Sequence, residues 1–156
     1  MKFGKIEQTR YVSDDLKMEC CHIVSSCNGD VQSVYNHIQN DVNQKGELMF
    51  VYFLKNWPVG FIKGCRNDLS NYAVTDLANL ATTQVECLYV NSGSQGKGIG
   101  GSLLSAYADY EKAAGAQYLF LRATKNEKTL KFYRDIGLGV ISREIIGQNY
   151  IMGRHL

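Results

Sequence analysis

No run of apolar residues in this chain of 156 residues reaches the ~18–20 needed to cross a bilayer. The N-terminal "MKFGKIEQTR" lacks the apolar centre of a secretion signal. Neither sign of charge prevails: 17 Lys and Arg are interspersed with 15 Asp and Glu, for a net charge of +2. Such a surface carries no basic footprint for nucleic acid. The five cysteines, Cys20, Cys21, Cys27, Cys65 and Cys87, are odd in number and form no CxxC pair. Unpaired thiols fit a reducing compartment. "CCHIVSSC" has the residue types of a metal cluster, but Cys20, Ile23, Val24 and Cys27 follow Leu16 at helical spacing, so small core residues account for them. Internal repeats, low-complexity tracts and interdomain linkers are also missing. The expectation is one domain over residues 1–156, soluble and cytoplasmic, with no metal, membrane or nucleic-acid partner.

What is present is a regular alternation of patterns. Lys2 to Tyr11 reads as an opening strand. Ser13 caps a helix with Leu16, Cys20, Ile23, Val24 and Cys27 on its apolar face. Asp30 opens a second helix carrying Val31, Val34, Tyr35, Ile38 and Val42, and Gly46 closes that region. Leu48 to Leu54 and Val59 to Lys63 are β-prone runs joined by a turn at Asn56, Trp57 and Pro58. Arg66 to Thr83 is a long connection with room for a short helix around Asp76 to Leu80. Gln84 to Val90 is a strand, Gly98 to Ala114 a helix and Gln117 to Ala123 a strand. Glu127 to Ile136 is a short helix ended by Gly137, and "GVISREIIG" and "NYIMGRHL" form a last pair of strands. This order predicts a mixed α/β sheet with at least one right-handed β–α–β crossover.

The densest feature is "NSGSQGKGIGGSLL", residues 91–104, in which four of the six residues from Gly96 to Gly101 are glycine. Each costs roughly 0.5–1 kcal/mol against alanine in ordered chain. A strand, a glycine turn and a helix start make an anion site, because the first helical N–H groups lack partners and the helix dipole favours negative charge there. One glycine suffices for a plain turn, so four point to phosphate. A Walker A loop fails: Gly96 and Lys97 supply its GK, but residue 91 is Asn and residue 98 is Gly. Gly96, Gly98 and Gly101 spell a dinucleotide-binding GxGxxG, yet the next strand ends "LRAT" without the acid that motif requires. The roughly 55 residues that follow are also too few for a doubly wound sheet.

Gln95-Gly96-Lys97-Gly98-Ile99-Gly100 fits [QR]xxGx[GA], and here the chain resembles the GNAT superfamily of N-acetyltransferases. "VECLYV" resembles that family's fourth strand, "PVGFI" its third, and "KNEKTLKFYRDIGL" its later Asn…Tyr…Gly motif. The match departs in three places. Asn91-Ser92-Gly93-Ser94 replaces the usual proline and aromatic, the closing Gly-Phe is Gly137-Leu138, and the Arg66 to Thr83 connection is long. The resemblance implies an α/β (α+β) fold, a mostly antiparallel sheet of six to seven strands flanked by about four helices. It also implies acetyl-CoA as co-substrate and an amine as acceptor.

By the same resemblance, backbone N–H groups of Gln95, Gly96, Lys97, Gly98, Ile99 and Gly100, with Gly101 and Ser102, hold the coenzyme A pyrophosphate. Backbone groups of Leu88, Tyr89 and Val90 pair with the pantetheine arm, and Asn126 hydrogen-bonds it. Tyr133 protonates the leaving thiolate. Glu86 is the candidate base, with Gln84 on its face if strand alternation holds and Asp76 as a second candidate. A lysine-like amine has a pKa near 10.4, so exposing its lone pair at pH 7.4 costs about 4 kcal/mol, which is what a base must offset. Cys87 has no basic neighbour and reads as a buried strand residue. Two other readings are a non-catalytic acyl-CoA sensor and an NAD(P)-binding fragment. The acceptor's identity is not encoded in these motifs, although Asp14, Asp15, Asp30 and Asp76 could attract a cation. Trp57 is a candidate contact for a homodimer.

Overall fold

The side chain of Ser13 accepts a hydrogen bond from Leu16 N at 3.1 Å and starts helix α1, Asp14–Ser26. The cap satisfies one of the four unpaired donors at the helix start. Asp30 does the same for α2, Val31–His37, through Ser33 N at 3.0 Å. The computed structural model describes residues 4–38, 42, 46–67, 69, 77, 79–143 and 149–156. Of the short helix expected near Asp76 to Leu80, Asp76 and Ala78 fall outside them; Leu77, Asn79 and Leu80 are described, and Leu80 N donates to Leu77 O at 3.1 Å.

Among the described residues, four α-helices and seven strands are present. The strands are β1 (Lys5–Gln8), β2 (Glu47–Leu54), β3 (Trp57–Arg66), β4 (Thr82–Val90), β5 (Tyr118–Thr124), β6 (Gly139–Arg143) and β7 (Asn149–His155). The remaining helices are α3 (Ile99–Ala113) and α4 (Glu127–Asp135). The strand order is β1-β2-β3-β4-β5-β7-β6. Antiparallel ladders join β1 to β2, β5 to β7 and β6 to β7, while β4 and β5 pair in parallel. A parallel pair needs a crossover, and α3 supplies it. This is the α/β fold with seven strands and four helices that the resemblance implied.

Two compact units make up the chain, residues 1–64 with 87–107 and residues 65–86 with 108–156. In the first, Ile23, Val24, Val34, Ile38, Met49, Val51 and Phe61 form one buried cluster, with Tyr89 packed on it. In the second, Leu69, Tyr118, Phe120 and Ile151 do so. Each fully buried side chain of this size contributes about 1.5–3 kcal/mol. No described helix is long and apolar enough to cross a membrane.

Several expectations shift in detail. The β2–β3 turn is Lys55-Asn56, both at positive φ (50° and 64°), the two-residue geometry that matches strand twist. Trp57 and Pro58 therefore lie in β3, and Trp57 is 61% exposed. Helix α2 stops at His37 because Ile38 takes an extended backbone and buries its side chain. Val42 lies beyond the helix, buried, with its N–H donated to Arg10 O at 3.1 Å. Tyr35 faces solvent, with the Lys17 ammonium 3.9 Å above its ring.

Candidate functional site

The glycine loop belongs to the first unit. Strand β4 ends at Val90, and Asn91 then opens a 3-10 turn, Ser92–Ser94, by accepting Gly93 N on its side-chain oxygen at 3.0 Å. Asn91 N–H also reaches Val59 O at 2.8 Å. Residues 95–98 lead into α3, whose first turn is closed by Ser102 N and Ser102 Oγ, both donating to Gly98 O at 3.0 and 2.9 Å. Gly96 and Gly98 hold φ of +76° and +79°, and a Cβ at either would meet nothing within 4 Å. Crowding therefore does not explain these glycines. The backbone sign does, together with the open space that lets a ligand approach the N–H groups. Lys97 is exposed between them and adds one positive charge.

The Gln95 side chain folds back, its Nε2 donating to Val90 O at 3.1 Å. The Val90 carbonyl also accepts from Cys27 Sγ at 3.0 Å. Both of its lone-pair positions are thus used, so Val90 supports the loop with its carbonyl rather than offering that group to a ligand. Tyr89 is half-buried, its ring 5.8 Å from that of Phe61. Burial pushes its phenol above its usual range, and Cys87, Cys27 and Asp30 add to this, so it stays a neutral hydrogen-bonding group.

Leu88 also lies in the first unit, whereas Gln84, Glu86, Asn126 and Tyr133 lie in the second. The β4–β5 ladder runs from Thr82↔Tyr118 to Val85↔Leu121, and Glu86 follows directly. Glu86 is half-buried and accepts a hydrogen bond from Cys65 Sγ at 2.7 Å. Gln84 accepts from Asn67 Nδ2 at 2.5 Å. The partners Cys65 and Asn67 are themselves two residues apart, as expected if Gln84 and Glu86 share a face.

Asn126 is the N-cap of α4, its Oδ1 accepting from Lys128 N at 3.0 Å and Thr129 N at 3.3 Å. With the oxygen committed, any bond to a ligand has to come from the amide nitrogen. Tyr133 is half-buried on α4, edge-on to Phe132 at 5.2 Å between centroids. Its carbonyl accepts Leu138 N at 2.9 Å where the chain leaves the helix.

Two contacts escaped the sequence reading. Cys27 is the C-cap of α1, half-buried beside the glycine loop, rather than a core residue of the helix. Cys65 supplies the thiol bonded to Glu86. Neither has a local signature, since the partners are 63 and 21 residues away in sequence. Cys20, by contrast, is fully buried, and burial, with Cys21, Cys87 and Glu19 adding, pushes its thiol up to about 12. It is inert at neutral pH.

A sequence profile of the acetyltransferase (GNAT) family matches residues 17–138. No curated protein matches the chain. Among solved structures, PH1933 from Pyrococcus horikoshii OT3 is 20% identical and superposes with a TM-score of 0.79 over 99% of each chain. An aminoglycoside 6'-N-acetyltransferase complexed with coenzyme A is 14% identical, with a TM-score of 0.74 over 97% of this chain and 96% of that one. The PaiA N-acetyltransferase from Thermoplasma acidophilum, in complex with coenzyme A, is 16% identical, with a TM-score of 0.70 over 97% and 99%. At these identities the likeness is one of fold.

Proposed function

The chain belongs to the acetyltransferase (GNAT) family, and from that premise we propose that it moves the acetyl group of acetyl-CoA directly onto a primary amine. Residues 1–156 act as one catalytic domain. The observation that carries the reading is the loop at residues 95–101. Its two left-handed glycines keep the backbone clear of side chains on the way into a helix of 15 residues. By helix geometry the first N–H groups of α3 have no partner within the helix, and its dipole favours an anion there. The coenzyme A pyrophosphate is such an anion. Hydrogen bonds to charged groups contribute about 1.5–3 kcal/mol each, so a few anchor the cofactor. The Lys97 ammonium adds to the attraction.

Within this reading, backbone groups of Leu88 and Tyr89 line the pantetheine arm, and the Asn126 amide nitrogen donates to one of its carbonyls. Glu86 takes the ammonium proton of the acceptor, directly or through one water, which frees the lone pair for attack on the thioester carbon. The tetrahedral intermediate then collapses. The carbon–sulfur bond breaks, and Tyr133 gives its phenolic proton to the departing thiolate. The nitrogen gives up its second proton as the amide forms, and that proton restores the Tyr133 phenol. Overall, ammonium and acetyl-CoA become amide, coenzyme A and one proton, which leaves through Glu86 to water. No cysteine acyl intermediate is required. Two of the similar folds are named N-acetyltransferases and were crystallised with coenzyme A, which supports an amine acceptor.

The test pairs calorimetry with a thiol-release assay. Acetyl-CoA should bind with micromolar affinity, and a panel of polyamines, amino acids, aminoglycosides and peptide N-termini should contain an amine that releases coenzyme A. No heat and no thermal shift at millimolar acetyl-CoA rejects the enzyme reading. Tight binding without transfer to any amine supports a sensor instead.

A further inference from the structure

Helix α1 ends at Ser26, and its last residues do more than finish a helix. Ser26 Oγ donates to Ile23 O at 2.6 Å and accepts Ser92 N at 3.1 Å, so one hydroxyl ties the helix end to the 3-10 turn. Cys27 Sγ donates to Val90 O at 3.0 Å and accepts Gln95 Nε2 at 3.5 Å, while that same amide nitrogen donates to Val90 O at 3.1 Å. Three groups, thiol, carboxamide and strand-end carbonyl, thus close a triangle beneath the loop.

The chain is shaped to bring them together. Cys27 N–H closes the helix on Val24 O at 3.1 Å, Asn28 reverses the backbone at φ +55°, and Gly29 N returns to Val24 O at 3.0 Å. A Cβ on Gly29 would lie 2.7 Å from Val24 Cγ1 and 2.9 Å from Tyr89 Cε1. Only a residue without a side chain lets the end of α1 lie this close to β4. The contacts join residues 63 to 68 positions apart, all within the first unit.

We infer that Cys27, with Ser26, is a positioning residue for the coenzyme loop: it holds the end of β4 and Gln95 in the geometry that presents the loop N–H groups to the pyrophosphate. The inference rests on the reading of the loop as the acetyl-CoA site. It assigns Cys27 no chemistry of its own and no contact with the coenzyme. Its loss should be felt as cofactor affinity, because the loop glycines have no side-chain packing to hold their conformation. Without the Cys27 anchor the loop samples other shapes, and the binding-competent fraction falls.

Three variants decide it, each measured for melting temperature, acetyl-CoA Kd by calorimetry, and kcat and KM on an amine found by screening. Cys27→Ala removes the thiol. It should weaken acetyl-CoA binding about three- to tenfold, the effect of losing one or two modest hydrogen bonds, with kcat held. Cys27→Ser keeps a donor and an acceptor at the same point and should bring Kd back to within about twofold of wild type. Ser26→Ala, which frees Ser92 N, should weaken binding in the same direction and serves if Cys27→Ala folds poorly. Unchanged acetyl-CoA affinity in a folded Cys27→Ala protein overturns the inference while leaving the acetyltransferase reading intact. So does a fall in kcat at constant Kd, or a serine variant as weak as alanine. Failure of the wild-type protein to bind acetyl-CoA overturns the functional reading itself.

Discussion

The Cys65 thiol lies 2.7 Å from Glu86 Oε1 and donates its hydrogen to it. The bond links two neighbouring strands and fixes the carboxylate of the candidate base. Glutamine at position 86 preserves an acceptor oxygen for the thiol, so Glu86→Gln tests charge rather than fold. The expected outcome is a fall in kcat of about 10²-fold or more, the usual share of a general base. The melting temperature should hold to within a few degrees. Steady-state kinetics beside a thermal melt reads both, and wild-type kcat in the variant removes Glu86 as the base.

Tyr133 presents its ring edge-on to Phe132. Phenylalanine at position 133 keeps that packing and deletes only the hydroxyl. Tyr133→Phe should lower turnover at least about tenfold with acetyl-CoA affinity almost unchanged, because the proton is needed only as the thiolate leaves. Calorimetry and initial rates separate the two quantities. Equal turnover in variant and wild type would end the proposed acid role.

Gly98 sits at φ +79° with open space where a Cβ would be. Gly98→Ala meets no clash, so its cost to folding is confined to the left-handed backbone, about 1–2 kcal/mol. The methyl group would stand where the coenzyme approaches. Acetyl-CoA binding should therefore weaken by more than about tenfold while the protein remains folded, as judged by circular dichroism and calorimetry.

Arg66 and Glu111 form an ion pair at 2.7 Å, with Glu111 buried. Arg66 Nη2 also donates to Ala114 O at 3.0 Å and Glu111 O at 3.4 Å, which satisfies carbonyls at the end of α3. Removing one partner strands the other charge in the interior. Arg66→Met should destabilise by about 3–5 kcal/mol, a drop in melting temperature on the order of 10 °C for a chain of this size. The double variant Arg66→Met/Glu111→Leu should regain part of that loss, a comparison that urea denaturation can make.

Alkaline pH should loosen the fold through Cys20. Its thiol titrates near 9.0 when unfolded and is pushed up to about 12 by burial. Below pH 9 both states hold the proton and nothing is lost. Between 9 and about 12 the unfolded state sheds its proton first, so stability falls as pH rises. The loss is about 2 kcal/mol by pH 10.5, at 1.36 kcal/mol per unit. Tyr118, raised by burial, adds to the same trend. Denaturant melts at pH 7 and 10.5 should show a smaller alkaline loss in Cys20→Ala than in wild type; equal losses would reject the assignment.

The local patterns were legible because they depend on near neighbours. Ser13 and Asp30 cap helices where a short polar side chain precedes a helical apolar period. Gly115 and Gly137 follow α3 and α4 at φ +96° and +95°, where a helix end needs a left-handed residue. The glycine loop was legible for the same reason, since its spacing encodes backbone freedom beside a helix start. The β2–β3 turn falls a residue or two earlier than the sequence suggests, because Pro58 reads as a turn former yet lies within β3, two residues past the Lys55-Asn56 reversal. Asn126 spends its one side-chain oxygen on the cap of α4, accepting from Lys128 N and Thr129 N, a local use that an Asn just ahead of a helix signals in sequence.

What the sequence by itself determined is therefore the order of elements, the helix caps, and a glycine-rich loop ahead of a helix start. All of these are set by residues within a turn or two of one another. Only the tertiary structure decided that the Cys27 thiol meets Val90 and Gln95, and that the Cys65 thiol meets Glu86. Those contacts arise when strands and helix ends far apart in the chain are packed together to bury apolar surface. Burial is non-directional, so no spacing rule foretells which thiol lands beside which carbonyl or carboxylate.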